Sequence, residues 1–97
     1  MLQELTHSSF EEHLNTSFRI HFGGAEPLEL VLFEVRLHEP HDGPRKQPYS
    51  VYFRGPGRTV LPQSIYRLEH DRMAPMEIFM VPIGPDEKGM RYEAVFN

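Results

Sequence analysis

The sequence predicts an all-β domain with about six antiparallel strands, arranged as a barrel or rolled sandwich, and one short N-terminal helix. Apolar and polar residues alternate in several short segments, and glycines and prolines separate those segments. No connection is long and periodic enough for a crossover helix, and short connections favour antiparallel neighbours. The 97 residues have the size of one ordinary domain, so we expect residues 1–97 to form a single small β domain.

The N-terminal segment has the features of a short amphipathic helix. Thr6 is suited to cap its first turn, with Ser8 or Ser9 as alternatives, and Asn15 is suited to the left-handed conformation that ends a helix. Phe10 and Leu14, together with Leu5, are spaced so that they share one face. We expect this face to cover one end of the sheet.

The predicted strands cover residues 18–22, 28–38, 49–53, 65–70, 76–81 and 90–96. In the second of them, positions 28, 30 and 32 are all leucine, whereas Val35 and Leu37 have the opposite parity. A strand cannot change its buried face without a bulge or a strong bend. The pattern therefore predicts an irregularity near Phe33 and Glu34.

The fifth predicted strand is apolar on both faces. Phe79 and Val81 alternate with Met76, Ile78 and Met80, so we expect this strand to be central for part of its length. Pro82 cannot donate a hydrogen bond to a ladder and is expected at the strand end or at an edge. Turns are predicted over residues 71–75 and 84–89.

Composition and charge exclude or disfavour several classes of function. The chain contains no cysteine, which excludes disulfides, thiol catalysis and zinc–thiolate sites. The net charge of −4 disfavours nucleic-acid binding, and no apolar run approaches the length of a membrane span. No motif for a cofactor is present, and the N-terminus lacks the pattern of a signal peptide. We expect a cytoplasmic protein that needs no cofactor and binds neither nucleic acid nor membranes.

Basic residues are concentrated between Arg45 and Arg58. This segment holds four of the ten lysines and arginines and no acid. A solvated loop and strand rim explains such a segment most simply, and a small site for an anion or an acidic partner is the alternative. Alternation places Tyr52 and Arg54 outward, but one outward aromatic side chain in an acidic protein is a weak indication of single-stranded nucleic-acid binding.

The six histidines do not form a recognisable metal motif. His38 and His41 are three residues apart and Asp42 follows them, but Pro40 and Gly43 indicate a loop in which the imidazoles do not converge. We therefore expect no native metal site there.

The sequence gives only a weak indication of a catalytic group. Ser64, Tyr66 and His70 share one predicted strand, and side chains along one strand do not converge on a reacting atom. His70 is expected to form hydrogen bonds at the strand end and to fix the following turn.

The C-terminal half resembles a family of small bacterial proteins of unknown function. The resemblance lies in FRGP at 53–56, LPQ at 61–63, YRLEH at 66–70, VPIGPD at 81–86 and GMRYEAVFN at 89–97. It extends over the whole chain, and no catalytic residues are assigned in the family. The resemblance implies an assembly or accessory role beside phage-tail-collar-like proteins. The chain departs from the family at Ser64 and Ile65, where a turn-type residue is usual.

We therefore expect a non-enzymatic module for protein interaction or assembly. Its partner would be another protein or a second copy, bound through a strand edge such as residues 90–96. The candidate surface residues are Tyr52, Arg54, Arg58, His70 and Arg91. The alternative is a small-molecule-binding barrel, in which Met76, Met80 and Met90 line a cavity instead of filling the core.

Overall fold

The computed structural model describes residues 5–21, 26–39, 47–57 and 60–97. Its elements are α1 (His7–Glu11), β1 (Ser17–Ile20), β2 (Leu28–Leu37), β3 (Tyr49–Gly55), β4 (Ser64–His70), β5 (Met73–Asp86) and β6 (Gly89–Phe96). The prediction of an all-β fold with six strands and one short helix is confirmed.

The six strands close into one ring. Their order around it is β1-β2-β3-β6-β5-β4, and every neighbouring pair is antiparallel. Of the two predicted arrangements, the closed one is present, although bulges in three of the ladders make the barrel irregular.

The change of face in β2 occurs where the sequence predicts it. The register against β3 shifts between Leu32 and Glu34, so Phe33 is the extra residue of a bulge. Leu32 lies opposite Phe53 on one side of the shift, and Val35 lies opposite Val51 on the other. The bulge therefore keeps apolar side chains of both parities inside the barrel.

β5 is longer than predicted. It begins at Met73 and ends at Asp86, so the predicted turns over 71–75 and 84–89 are each shorter than expected. Pro82 lies inside the strand, opposite Tyr92, and not at its end. The register shifts directly after it, before Gly84, and such a bulge is a position where a strand tolerates proline. The first part of β5 pairs with β4, and the second part pairs with β6.

α1 packs against β2 and β3. The Thr6 side chain accepts a hydrogen bond from the third backbone N–H of the helix, which confirms the predicted cap. Phe10 is fully buried, and its ring centre lies 5.7 Å from that of Phe96. Asn15 has the predicted left-handed conformation, with φ of 65°. Leu14 is 37% exposed because the helix has already ended, so its predicted place on the buried face was wrong.

The core contains side chains from all six strands and from α1. Its buried members are Phe10, Phe18, Ile20, Leu30, Leu32, Tyr49, Val51, Phe53, Leu61, Leu68, Met76, Ile78, Met80, Met90, Tyr92 and Ala94. In β6, residues 90, 92 and 94 face the core, as the alternation predicts. Some expectations concern residues outside the described ranges: the strand position of Phe22, residues 40–46 of the loop expected over 39–48, and the surface role of Arg58.

Candidate interaction surface

Tyr52 lies on the outer face of β3 but is only 5% exposed. Its hydroxyl donates a hydrogen bond to Glu93 at 2.7 Å, and the Arg36 guanidinium lies 5.0 Å from its ring centre. Burial, together with the Glu93 carboxylate, raises the pKa of Tyr52. Tyr52 therefore faces outward, as the alternation predicts, but side chains of β2 and β6 cover its ring, so it is not available for stacking on a ligand.

Arg54 is engaged by two neighbours. Its guanidinium forms a bidentate ion pair with Asp86, with two of the N–O distances at 3.1 Å. The guanidinium carbon also lies 4.0 Å from the centre of the Phe33 ring. The hydrogen bond from Arg54 is the main reason why the pKa of Asp86 falls to about 2. Asp86 also accepts the backbone N–H groups of Lys88 and Gly89, so the pair fixes the β5–β6 turn against β3.

Arg91 supports the backbone of β5. Its Nε donates a hydrogen bond to the Gly84 carbonyl at 3.2 Å, beside the β5 bulge. Arg91 also lies opposite Arg54 in the β3–β6 register. The structure thus brings Tyr52, Arg54 and Arg91 onto one outer face, although each has partners within the chain.

His70 lies away from this face, at the β4–β5 turn. Its ring centre is 4.5 Å from the ring centres of both His13 and Phe18. Nδ1 accepts the backbone N–H of Arg72 at 3.0 Å, and Nε2 lies 2.9 Å from Thr16 Oγ1. The sequence-based expectation that His70 forms hydrogen bonds and fixes the following turn is confirmed.

These hydrogen bonds select one tautomer of His70. Thr16 Oγ1 donates to the His13 carbonyl at 2.6 Å, so it accepts from His70 and Nε2 carries the proton. Burial, followed by the nearby His13, lowers the pKa of His70. Both ring nitrogens are therefore engaged in the neutral state, which is an unfavourable arrangement for a general base. The Tyr66 hydroxyl is also engaged, since it donates to the Pro62 carbonyl.

An open depression of 540 Å³ surrounds His70. It is lined by Glu12, His13, Thr16, Ser17, Arg19, Glu29, His70, Asp71 and Arg72. The lining contains two arginines and three carboxylates, and Arg19 pairs with Asp71 at 3.0 Å. The depression therefore has no excess of positive charge with which to attract an anion.

The described residues contain no group of three or more His, Cys, Asp or Glu side chains that could hold a metal ion. His38 Nε2 lies 2.6 Å from Ser50 Oγ, while His41 and Asp42 fall outside the described ranges. In the same part of the chain, no helix is both long enough and apolar enough to cross a membrane.

A row of exposed apolar side chains crosses the outer faces of β4, β5 and β6. It consists of Ile65, Phe79 and Val95, which are 65%, 51% and 51% exposed, and is called the apolar row below. Ile65 and Phe79 lie directly opposite each other in the β4–β5 register. Arg67 and Glu77 form the next pair on the same face in the β4–β5 register, and they border the row on one side. Sequence reasoning missed this surface because Phe79 was expected to lie on a covered face of a central strand.

The apolar row crosses the point where β5 and β6 separate. The ladder between these strands ends at Val81 and Glu93, and Phe79 and Val95 each lie two residues beyond that pair. Residues 76–80 of β5 pair with β4 on one side, and in the described part of the chain no strand ladder covers their other side. We call this other side the β5 edge.

β6 has a strand neighbour on both sides for only part of its length. It pairs with β3 from Met90 to Phe96 and with β5 from Gly89 to Glu93. Residues 90–93 therefore lie between two strands, whereas residues 94–96 have a ladder only on the β3 side, so an edge at the end of β6 stays a prediction. In the described part of the chain, residues 76–80 of β5 also have a ladder on one side only.

Comparison with known proteins agrees with the resemblance seen in the sequence. A family model described as a domain of unknown function, DUF6916, matches residues 5–96. Neither a curated protein nor a solved structure matches the chain. Because the family model covers nearly the whole chain, the protein belongs to the DUF6916 family of domains of unknown function.

Proposed function

We propose that this protein is a non-enzymatic interaction module that docks another protein on the apolar row. The observation that carries the proposal is the direct pairing of Ile65 with Phe79, both more than half exposed, with Val95 exposed on β6 two residues beyond the last β5–β6 pair. Single exposed apolar residues are ordinary on protein surfaces, whereas neighbouring ones that form a patch are often functional.

The polar clusters support a non-enzymatic role. Arg54 is held by Asp86, Tyr52 by Glu93, and both nitrogens of His70 by the Arg72 amide and Thr16. Catalysis needs groups that are positioned to act on a substrate, and these groups bind one another instead. Their evident role is to stabilise the ring of strands on which the apolar row lies.

The small-molecule alternative has less support. It requires Met76, Met80 and Met90 to line a cavity inside the barrel. All three are instead members of the buried core, with exposures of 8%, 0% and 8%. Flexible methionine side chains commonly fill irregular gaps in cores, which accounts for their presence here.

The sequence resemblance implies an assembly role beside tail-collar-like proteins. Such a role would make use of a docking surface of this kind. We also propose a cytoplasmic location, with which the absence of cysteine is compatible. The charged side chains around the row, Arg67 and Glu77, would form the polar rim of the interface.

The test compares three immobilised proteins: the wild type, the double variant Ile65→Thr/Phe79→Thr, and the control Val31→Thr. Val31 is an outward strand residue on β2 and is 37% exposed, so its substitution removes apolar surface outside the row. Extracts of the cells that make the protein are passed over all three, and each captured protein is purified and tested again for direct binding. We expect at least one direct partner that the wild type and the control retain and that the double variant loses. Identical capture by all three would refute the proposal.

A further inference from the structure

Building on the proposed function, we propose that the partner binds as an extended segment that pairs with the β5 edge, so that the barrel gains a strand beside Phe79. Backbone hydrogen bonds would supply affinity, and the apolar row would select the side chains of the segment. The occupant is a segment of a different protein that has no strand partner of its own.

The backbone of β5 provides the first argument. In an antiparallel strand, alternate residues direct their N–H and C=O groups to opposite sides. Residues 76–80 pair with β4 on one side, and the groups on the other side have no strand ladder in the described part of the chain. Such a row of backbone groups is a ready template for another strand. Pro75 lies just before it and has no N–H to offer, which limits the usable edge to the residues that follow.

The side chains provide the second argument. Met76, Ile78 and Met80 point into the core and are buried, whereas Phe79 points outward. A segment paired with the β5 edge would lie alongside Phe79, on the side of β5 where the ladder with β6 has ended. Its outward side chain at that level would contact Phe79. The segment should therefore carry an apolar residue there and alternate in polarity on either side of it.

The size of the surface favours an extended segment over a second copy of the chain. Stable complexes bury about 800 Å² on each partner, whereas the exposed parts of three apolar side chains amount to a few hundred Å² at most. Backbone pairing along an edge adds interactions without needing a wider face.

The probe is a displayed library of random decapeptides selected on the wild-type protein. We expect the enriched peptides to alternate apolar and polar residues without an internal proline, and to bind the Ile65→Thr/Phe79→Thr variant at least ~10-fold more weakly than the Val31→Thr control. Enrichment of peptides with helical spacing of apolar residues would overturn the proposed pairing. So would self-association of the wild type that the double variant abolishes, or failure to enrich any peptide.

Backbone pairing is tested separately with one enriched peptide made in two N-methylated forms. One form is methylated at the odd-numbered backbone amides of the peptide and the other at the even-numbered ones. Pairing with one edge predicts that one form binds at least ~10-fold more weakly than the other, because only one set of N–H groups faces β5. Alternate amides within residues 77–79 should also gain protection from hydrogen exchange when the unmodified peptide binds. Equal affinities of the two forms would overturn the pairing.

The two proposals fail in different ways. One outcome is a direct partner that needs Ile65 and Phe79 and yet binds as a helix or through a folded surface. That result would support the interaction module and refute the strand pairing. If the double substitution left the binding of every captured protein and every enriched peptide unchanged, both proposals would be refuted.

Discussion

His70 Nε2 lies 2.9 Å from Thr16 Oγ1, and this contact joins the β4–β5 turn to the residue that precedes β1. The two residues are 54 positions apart in the chain. Because the Arg72 amide occupies Nδ1, the bridge requires the neutral imidazole with its proton on Nε2. The groups around the ring are His13, Arg19 and Arg72, which disfavour a second proton, and Asp71, which favours it.

This bridge predicts a stability that depends on pH. The pKa of His70 is lowered in the folded protein, whereas an unfolded histidine titrates near 6.5. As the pH falls below that value, the unfolded chain binds more protons than the folded one, so the free energy of unfolding decreases. The variant His70→Asn keeps an acceptor near the Arg72 amide and does not titrate. Urea unfolding between pH 8 and pH 5 should therefore show a shallower loss of stability for this variant, and equal slopes would contradict the assignment.

The Arg54–Asp86 ion pair predicts an acid titration far below the usual range. In the wild type, the side-chain carboxyl carbon of Asp86 should titrate with a midpoint of about 2 when followed by nuclear magnetic resonance. In Arg54→Gln the midpoint should rise toward the ordinary aspartate value of 3.8, because the largest cause of the depression is gone. The stability that the pair contributes is lost as the pH falls from 3.8 through about 2. An unchanged midpoint in Arg54→Gln would show that Arg54 is not the cause.

Two glycines of β5 and β6 form a matched pair for a test of backbone crowding. Gly89 has φ of +148°, and a Cβ there would clash with the Gly55 carbonyl oxygen. Gly84 has φ of +104°, and a Cβ there would meet nothing within 4 Å. Gly84→Ala should cost about 1–3 kcal/mol from backbone strain alone, and Gly89→Ala should cost clearly more. Equal losses in urea unfolding would mean that the approach of Gly89 to Gly55 is not tight.

Two tyrosine hydroxyls should differ in their effect on stability. The Tyr92 hydroxyl accepts the buried backbone N–H of Leu61 at 2.9 Å, whereas the Tyr66 hydroxyl donates to an exposed carbonyl. Tyr92→Phe should lower the free energy of unfolding by about 1–3 kcal/mol, because it leaves a buried donor without this acceptor. Tyr66→Phe should cost less than about 1 kcal/mol, since water can replace the lost partner. The reverse order in urea unfolding would contradict the assignment.

The apolar row should be dispensable for folding. Ile65→Thr/Phe79→Thr replaces two exposed side chains with a residue that also favours strands, so its free energy of unfolding should stay within about 1 kcal/mol of the wild type. A much larger loss would show that these side chains stabilise the barrel, which would weaken the reason for assigning them to an interface.

Much of the fold could be predicted from the sequence because local patterns determine it. The change of parity between Leu32 and Val35 predicted the β2 bulge, and Thr6 predicted the helix cap. The limits of β5 could not be predicted, because Pro75, Pro82 and Pro85 resemble turn residues. Only the register against β4 and β6 shows that these prolines fit within the strand.

The surface was harder to predict because exposure depends on neighbours from distant parts of the chain. Alternation placed Tyr52 outward, but its contacts with Arg36 and Glu93 bury it. The same alternation suggested that Phe79 lies on a covered face, but its side chain is more than half exposed. Closure of the ring, which short-range patterns do not encode, gives β6 two strand neighbours along residues 90–93.

The most direct test of the proposed function is the dissociation constant of one purified, captured partner for three proteins measured side by side. They are the wild type, Val31→Thr and Ile65→Thr/Phe79→Thr. Central apolar contacts of an interface contribute about 2 kcal/mol or more, so we expect the double variant to bind at least ~30-fold more weakly, with Val31→Thr within about twofold of the wild type. Equal dissociation constants for all three proteins would contradict the assignment of the apolar row as the docking surface.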